Sequence, residues 1–210
     1  MNFLNINKER REFMDNFTFL NPTKILFGKN QHAELKNEIP QKSRILMLYG
    51  KGSIKSNGVY NSVLGALKGY HITELGGILP NPTYEQALEA IDLIKTNHLD
   101  FILAVGGGSV IDAAKFISVA VFLENPWEDL KLGKCNGQLP LGVVLTHPAT
   151  GSEMNCGYVL THHQDKRAFL TPPVWPLFSV LDPSVIASLS KTQLANGVVD
   201  SFGKLTSLIV

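Results

Sequence analysis

Short, largely apolar runs recur along the chain at residues 24–27, 45–49, 72–75, 101–105, 141–145 and 178–181, with stretches of helical period between them. Strands of this length bounded by turn formers and alternating with helices predict an α/β fold, a mostly parallel sheet with helices on both faces. Residues 84–97 put Ala87, Leu88, Ile91 and Ile94 on one stripe and close with Lys95 and Asn97, the pattern of an amphipathic helix. Residues 110–121 are apolar nearly all round, so the helix predicted there should be buried. Between 155 and 171 the period changes to two. Gly157-Tyr158-Val159-Leu160-Thr161 and Lys166-Arg167-Ala168-Phe169-Leu170 flank the polar His162-His163-Gln164-Asp165, which predicts a β-hairpin, expected over the ligand edge of the sheet. Further on, Ser190-Lys191-Thr192-Gln193 reads as an S-x-x-Q capping box, and Leu194, Val198, Phe202, Leu205 and Ile209 follow at helical spacing. That stripe needs an apolar partner, and a plain reading is a helix docking back on the sheet.

Composition narrows the chemistry. The 210 residues are 44% hydrophobic and 18% charged with a formal net charge of +1, so there is enough apolar material for a core and no excess charge to draw in nucleic acid or an anionic membrane. Small-molecule chemistry is the expectation. Residues 1–12 alternate apolar with polar and charged residues, unlike a signal peptide, and no stretch has the length of a transmembrane helix. Cys135 and Cys156 are the only cysteines, too few for a disulfide framework, and a reducing cytoplasm is expected.

The most informative stretch is Phe101-Ile102-Leu103-Ala104-Val105-Gly106-Gly107-Gly108-Ser109-Val110-Ile111-Asp112, which reads as strand, glycine turn and helix start in one piece. Glycines let a backbone approach a ligand closely, and the free N–H groups and positive dipole end of the helix favour an anion such as a phosphate. Ser109 and Asp112 read as an S-x-x-D capping box for that helix. The plain alternative is an ordinary capped helix after a tight turn. A second glycine turn, Tyr49-Gly50-Lys51-Gly52-Ser53-Ile54-Lys55-Ser56-Asn57-Gly58, follows the strand at 45–49. Dinucleotide enzymes that prefer the unphosphorylated cofactor place an acid near such a strand end to hold the ribose hydroxyl. No Asp or Glu stands in this turn, whereas Lys51, Ser53 and Lys55 offer charge and donors, so a 2′-phosphate, and NADP over NAD, is favoured. Ile111 occupies the place of the last glycine in G-x-G-x-x-G, which argues against an ordinary Rossmann dehydrogenase. A third loop, Thr146-His147-Pro148-Ala149-Thr150-Gly151-Ser152-Glu153-Met154-Asn155, carries hydroxyls and an amide at another strand end, where they could bond ribose, amide or substrate.

Taken together, these segments resemble the iron-containing alcohol dehydrogenase family, in particular its butanol dehydrogenase and NADPH-dependent aldehyde reductase branch. The resemblance runs over residues 17–202 and rests also on Asn21-Pro22-Thr23-Lys24-Ile25-Leu26-Phe27-Gly28, Gly76-Gly77-Ile78-Leu79-Pro80-Asn81-Pro82, Leu181-Asp182-Pro183 and Ala195-Asn196-Gly197-Val198-Val199-Asp200. It implies a dehydroquinate synthase-like α/β domain that binds NADP(H), with the pyrophosphate at Gly107, Gly108 and Ser109 and the 2′-phosphate end at Gly50, Lys51, Gly52 and Ser53. Further cofactor contacts implied are Asn81, Asp112, Thr146, Thr150, Asn155, Lys166, and the stretch 185–189 with Val185, Ser188 and Leu189. The implied activity is hydride transfer between NADP(H) and a primary alcohol or aldehyde of butanol size.

The family also implies a second, all-helical domain and a divalent metal, iron or zinc, held by one Asp and three His between the domains. There it would act as a Lewis acid on the substrate oxygen. Asp200 matches the first ligand. Lys204 stands where the resemblance implies a His four residues on, and a protonated amine has no lone pair to give; an i, i+4 pair with Asp200 is its expected use. None of the six histidines matches a family ligand, although His147 stands near the expected active site. The family pattern fades after Phe202, so the expectation is a truncated or frame-shifted, inactive form: an extension at 1–16, an NADP-binding domain at 17–189, and the first helix of the metal-binding domain at 190–210. A homodimer or self-association through exposed apolar surface is expected. A reading from another class is a non-catalytic NADP-binding or interaction module.

Overall fold

The computed structural model describes residue 18, residues 20–171 and residues 174–207, the side chains of residues 188 and 204–207 excepted. The N-terminal extension predicted at 1–16, the side chains of Lys204 and Leu205, and Ile209 lie outside the described residues. The strands are β1 (Lys24–Phe27), β2 (Arg44–Tyr49), β3 (His71–Leu75), β4 (Phe101–Gly107), β5 (Leu141–His147), β6 (Gly157–His162), β7 (Asp165–Leu170) and β8 (Phe178–Leu181). Six of them form a sheet in the order β1-β8-β5-β4-β2-β3, every neighbouring pair parallel, and β6 and β7 form a separate antiparallel hairpin. The helices are α1 (Leu35–Glu38), α2 (Ser53–Ser56), α3 (Val59–Ala66), α4 (Tyr84–Asn97), α5 (Gly108–Ala120), α6 (Pro126–Lys131) and α7 (Lys191–Ser207).

Both faces of the sheet are covered, and strand periodicity divides the core between them. Leu46, Leu48, Ile102, Ala104, Leu141 and Val143 point to the side of α4 and α5, while Ile45, Met47, Phe101, Leu103, Val105 and Val144 point to the side of α1 and α3. The near-continuous apolar runs of the central strands are the sequence form of this two-sided burial.

Helix α5 shows why residues 110–121 lack a polar face. Its inner side lies on β4 and β5, and its outer side is covered by β6. Phe116 meets Tyr158 and Phe169 of the hairpin edge-on, with ring centroids 6.2 Å and 5.8 Å apart. The hairpin is therefore a third layer across α5 rather than a cover over the sheet's ligand edge, because its own apolar face is satisfied there. Its turn is tighter than the sequence pattern implied: His162 and Asp165 are paired, leaving His163 and Gln164 at the tip.

The capping boxes fare differently. At α7 the box forms: Ser190 Oγ accepts from the Gln193 N–H at 3.2 Å, and Gln193 Oε1 accepts from the Ser190 N–H at 3.1 Å. At α5 the predicted Ser109/Asp112 box does not form. The helix already starts at Gly108 with Gly107 in the cap position, so Ser109 lies inside the first turn and the Asp112 carboxylate reaches to other partners.

One buried side chain makes the fold acid-sensitive. His32, 7% exposed, has its Nδ1 3.8 Å from Asp182 and no hydrogen-bond partner at Nε2. Burial lowers its pKa below the ordinary value, against the pull of Asp182. The unfolded chain therefore takes up this proton at a higher pH than the folded one, and stability falls as pH drops below about 6.5. His32→Leu is expected to flatten that limb in denaturant titrations between pH 7 and 5; an unchanged pH dependence would contradict it.

Candidate cofactor cleft

The strand order itself marks a crevice. From β2 the chain moves to β3 on one side, and from β4 to β5 on the other, so adjacent strands β2 and β4 send their connections in opposite directions. Ligands of open parallel sheets bind outside the carboxyl ends at such a switch point. Tyr49 and Val105 are register partners, which puts the two glycine turns side by side at that point.

Between them lies a cleft of about 550 Å³ that brings together Gly50, Lys51, Ser53, Gly107, Gly108, Ser109, Thr146, Thr150 and Leu189. Gly52 sits between two of these at φ 109°, a conformation that suits glycine and turns the chain into α2. The N-terminus of α5 opens into the cleft through Gly108 and Ser109, with its helix dipole directed at the space. A Cβ on Gly108 would stand 2.6 Å from Thr150 Oγ1, so the turn and the third loop meet where only a hydrogen fits. Among the described residues, no Asp or Glu lines this cleft. Glu74 on β3 accepts instead from the hydroxyls of Tyr49 (3.0 Å) and Tyr60 (2.8 Å). Lys55 does not line the cleft either; its ammonium lies over both tyrosine rings, 5.1 Å and 4.9 Å from their centroids.

The candidates Asn81, Asp112, Asn155, Lys166 and Val185 are not among the residues that line this space. Lys166 on β7 donates to Asn81 Oδ1 at 2.7 Å, joining the hairpin to the loop after β3. Val185 is 8% exposed and belongs to the core on the α1 and α3 side, and Ser188 ends the 3₁₀ turn Pro183–Ser188, its side chain lying outside the described residues. Asp112 and Asn155 do not line the cleft but border a neighbouring one that shares Thr150. They form part of a polar cluster that the sequence reading missed. Lys115, wholly buried, donates to Ser152 Oγ, Asn155 Oδ1 and Gly157 O, each at 2.9 Å. Ser152 Oγ donates to Asp112 Oδ1 at 2.7 Å, and the Val159 N–H to Asp112 Oδ2 at 3.0 Å. Desolvation pushes the Lys115 amine down to about 8, with Asp112 opposing. A lysine inside an otherwise apolar helix was the available signal. Ser56, Asn57, Ile78, Pro80 and Gln193 also line the cleft, with His147 at the end of β5.

Asp200 lies exposed on α7. Among the described residues, no group of three metal-ligating side chains includes it, so they do not assemble the family's one-Asp, three-His set. α7 does approach the cleft wall closely at Gly197, whose Cβ would be 2.8 Å from Pro148 O. On the same helix Leu194, Val198 and Phe202 are 46%, 61% and 67% exposed.

Residues 22–183 match the family described as iron-containing alcohol dehydrogenase. The chain is 48% identical to the NADPH-dependent aldehyde reductase YqhD of Escherichia coli over 196 residues, 90% of this chain and 51% of that protein. It is 45% identical to NADP-dependent alcohol dehydrogenase 3 of Entamoeba histolytica, again over 90% of this chain and 52% of the relative. The crystal structure of NADH-dependent butanol dehydrogenase A from Thermotoga maritima superposes with a TM-score of 0.85 at 38% identity, covering 90% of this chain and 50% of that one. The chain spans about half the length of these relatives. With the switch-point cleft, its two glycine turns and these matches together, the chain belongs to the iron-containing alcohol dehydrogenase family, an oxidoreductase family, and corresponds to its N-terminal half.

Proposed function

We propose that this chain is the NADP(H)-binding half of an enzyme that interconverts primary alcohols and aldehydes. The observation that carries the reading is the cleft at the switch point, lined by no acid among the described residues, where the α5 N-terminus and the Gly107, Gly108 and Ser109 backbone face the space with Lys51 and Ser53 across from them. The α5 end suits a pyrophosphate, and Lys51 with Ser53 suits a 2′-phosphate. Thr146 and Thr150, which line the cleft, would hold ribose or nicotinamide groups, and the Asn81–Lys166 pair is assigned a cofactor contact on the family resemblance alone. The bound nicotinamide supplies the hydride, and the chain's part is to bind and orient it. Residues 17–189 form this unit, and α7 begins a second, helical, metal-binding domain in which Asp200 is one ligand. The exposed apolar face of α7 is the surface such a domain, or a second copy of the chain, would cover. The free thiols Cys135 and Cys156 fit a reducing cytoplasm, and no helix among the described residues is long and apolar enough to cross a membrane.

Titration with NADPH and NADH tests the reading. NADPH is expected to saturate and bind more tightly. Lys51→Glu is expected to weaken NADPH by roughly tenfold to a hundredfold, the loss of one charge-assisted hydrogen bond plus repulsion, with little effect on NADH. Because Asp200 is not joined by a ligand set among the described residues, the 210-residue polypeptide is expected to bind NADPH without reducing butanal. Turnover would overturn the inactivity, and absence of saturable binding would overturn the cofactor role.

A further inference from the structure

The tip of the hairpin is not used by the cofactor cleft. There His162 and His163 meet Glu85, from the first turn of α4, and one ligand atom of each lies within 4.8 Å of the others. The hairpin end is fixed to the start of α4: the Thr161 N–H donates to Pro82 O at 3.0 Å, and Thr161 bridges to Thr83, the α4 N-cap. The His162 ring is held edge-on between Tyr84 (4.7 Å) and Trp127 (5.2 Å), and its Nδ1 is 2.9 Å from Glu85 Oε1. His163 takes a left-handed conformation, φ 53°, and its ring centroid lies 4.1 Å from that of His162.

Two imidazoles and one carboxylate match zinc-class divalent ions, whereas magnesium and calcium prefer oxygen donors throughout. Metal–ligand bonds of about 2.0–2.2 Å bring tetrahedral donors to roughly 3.4 Å from one another. Glu85 and His163 are exposed, so only a small side-chain rotation separates the present arrangement from coordination, while the His162 ring is packed against Tyr84 and Trp127. The α4 N-terminus carries a partial positive charge, which the Glu85 carboxylate offsets. We propose that Glu85, His162 and His163 form a binding site for a zinc-class divalent cation that clamps the hairpin tip to the start of α4. Water would complete the coordination. The site is separate from Asp200 and from the cofactor cleft, since none of its three residues lines that space.

Calorimetric titration of the chain with Zn²⁺ alone, with the histidine ring protons followed by NMR, tests this. The expected result is one equivalent bound with the His162 and His163 signals shifting together. Affinity should fall at least about tenfold in His163→Gln and in Glu85→Gln, two exposed positions where folding is preserved, and stay unchanged in Asp200→Asn. Failure of the unmodified chain to bind, binding that persists in both ligand variants, or loss confined to Asp200→Asn would overturn the proposal. Because NADPH titration is independent of these residues, failure here leaves the cofactor reading standing.

Discussion

Replacing Gly108 with alanine is expected to weaken NADPH binding about a hundredfold or more while leaving the fold intact. The residue is the first of α5, and its φ lies outside the left-handed region, so the backbone accepts alanine. Helix propensity even favours the change by up to about 1 kcal/mol. The crowding comes from one side chain: the new Cβ would stand 2.6 Å from Thr150 Oγ1 and 3.1 Å from its Cγ2. Thr150 must move, and its hydroxyl also accepts from the Ser152 N–H at 3.3 Å, so the third loop shifts with it. Gly108 and Thr150 both line the cleft, and the shift spoils it where the α5 N–H groups would meet phosphate oxygens. Losing two charge-assisted hydrogen bonds at about 1.5–3 kcal/mol each accounts for the expected effect. Ser109→Ala removes a side-chain donor without moving the loop and should lose no more than about tenfold. Fluorescence titration checks both. An alanine variant that keeps its circular dichroism and binds NADPH within about threefold of the unmodified chain would show that this turn does not hold the cofactor.

The sheet was legible because its strands are buried on both faces and announce themselves as apolar runs. β1 and β8 have the bounds predicted for them, and β4 and β5 run two residues further, into the glycines and into His147, where backbone pairing continues past the last apolar side chain. Register and strand order are not written in local periodicity, yet they turn two separate glycine motifs into one cleft. The hairpin's position was missed for a related reason. Its pattern revealed two strands but not which face of α5 would receive Tyr158 and Phe169, although the lack of a polar face on α5 held that information. Asp112 shows the limit of motif reading: its spacing from Ser109 suits a cap, while its partners, Ser152 and Val159, come from 40 and 47 residues away. The Glu85, His162 and His163 group was invisible for the same reason, since Glu85 is brought to the histidines only by the docking of β6 on the start of α4.

Lys115→Met should be among the most destabilising single substitutions in the chain, costing about 3 kcal/mol and lowering the melting temperature by roughly 6–12 °C. Methionine fills similar space but supplies no donors, so Gly157 O loses its bond from Lys115 and Asp112 its nearby cation. The loop from Ser152 to Gly157 is held onto α5 at three points by this ammonium, beside the Ser152–Asp112 bond, and that loop lines the neighbouring cleft and follows directly on Thr150 of the cofactor cleft. A second signature separates the ammonium from simple packing. The folded-state pKa is about 8, below the unfolded value near 10.4, so between these values the unfolded chain holds the proton that the folded chain has released. Stability therefore rises with pH across this window. The raised pKa values of Tyr60, Tyr84 and Tyr158 act in the opposite sense, but only near and above the ordinary tyrosine value of about 10, which leaves pH 8 to about 9.5 as the clean range. Urea unfolding of the unmodified chain should show the rise there, and Lys115→Met should lack it. A variant as stable as the parent would show that the buried amine does not anchor the loop, and a parent whose stability is flat over that range would show that burial does not lower the Lys115 pKa.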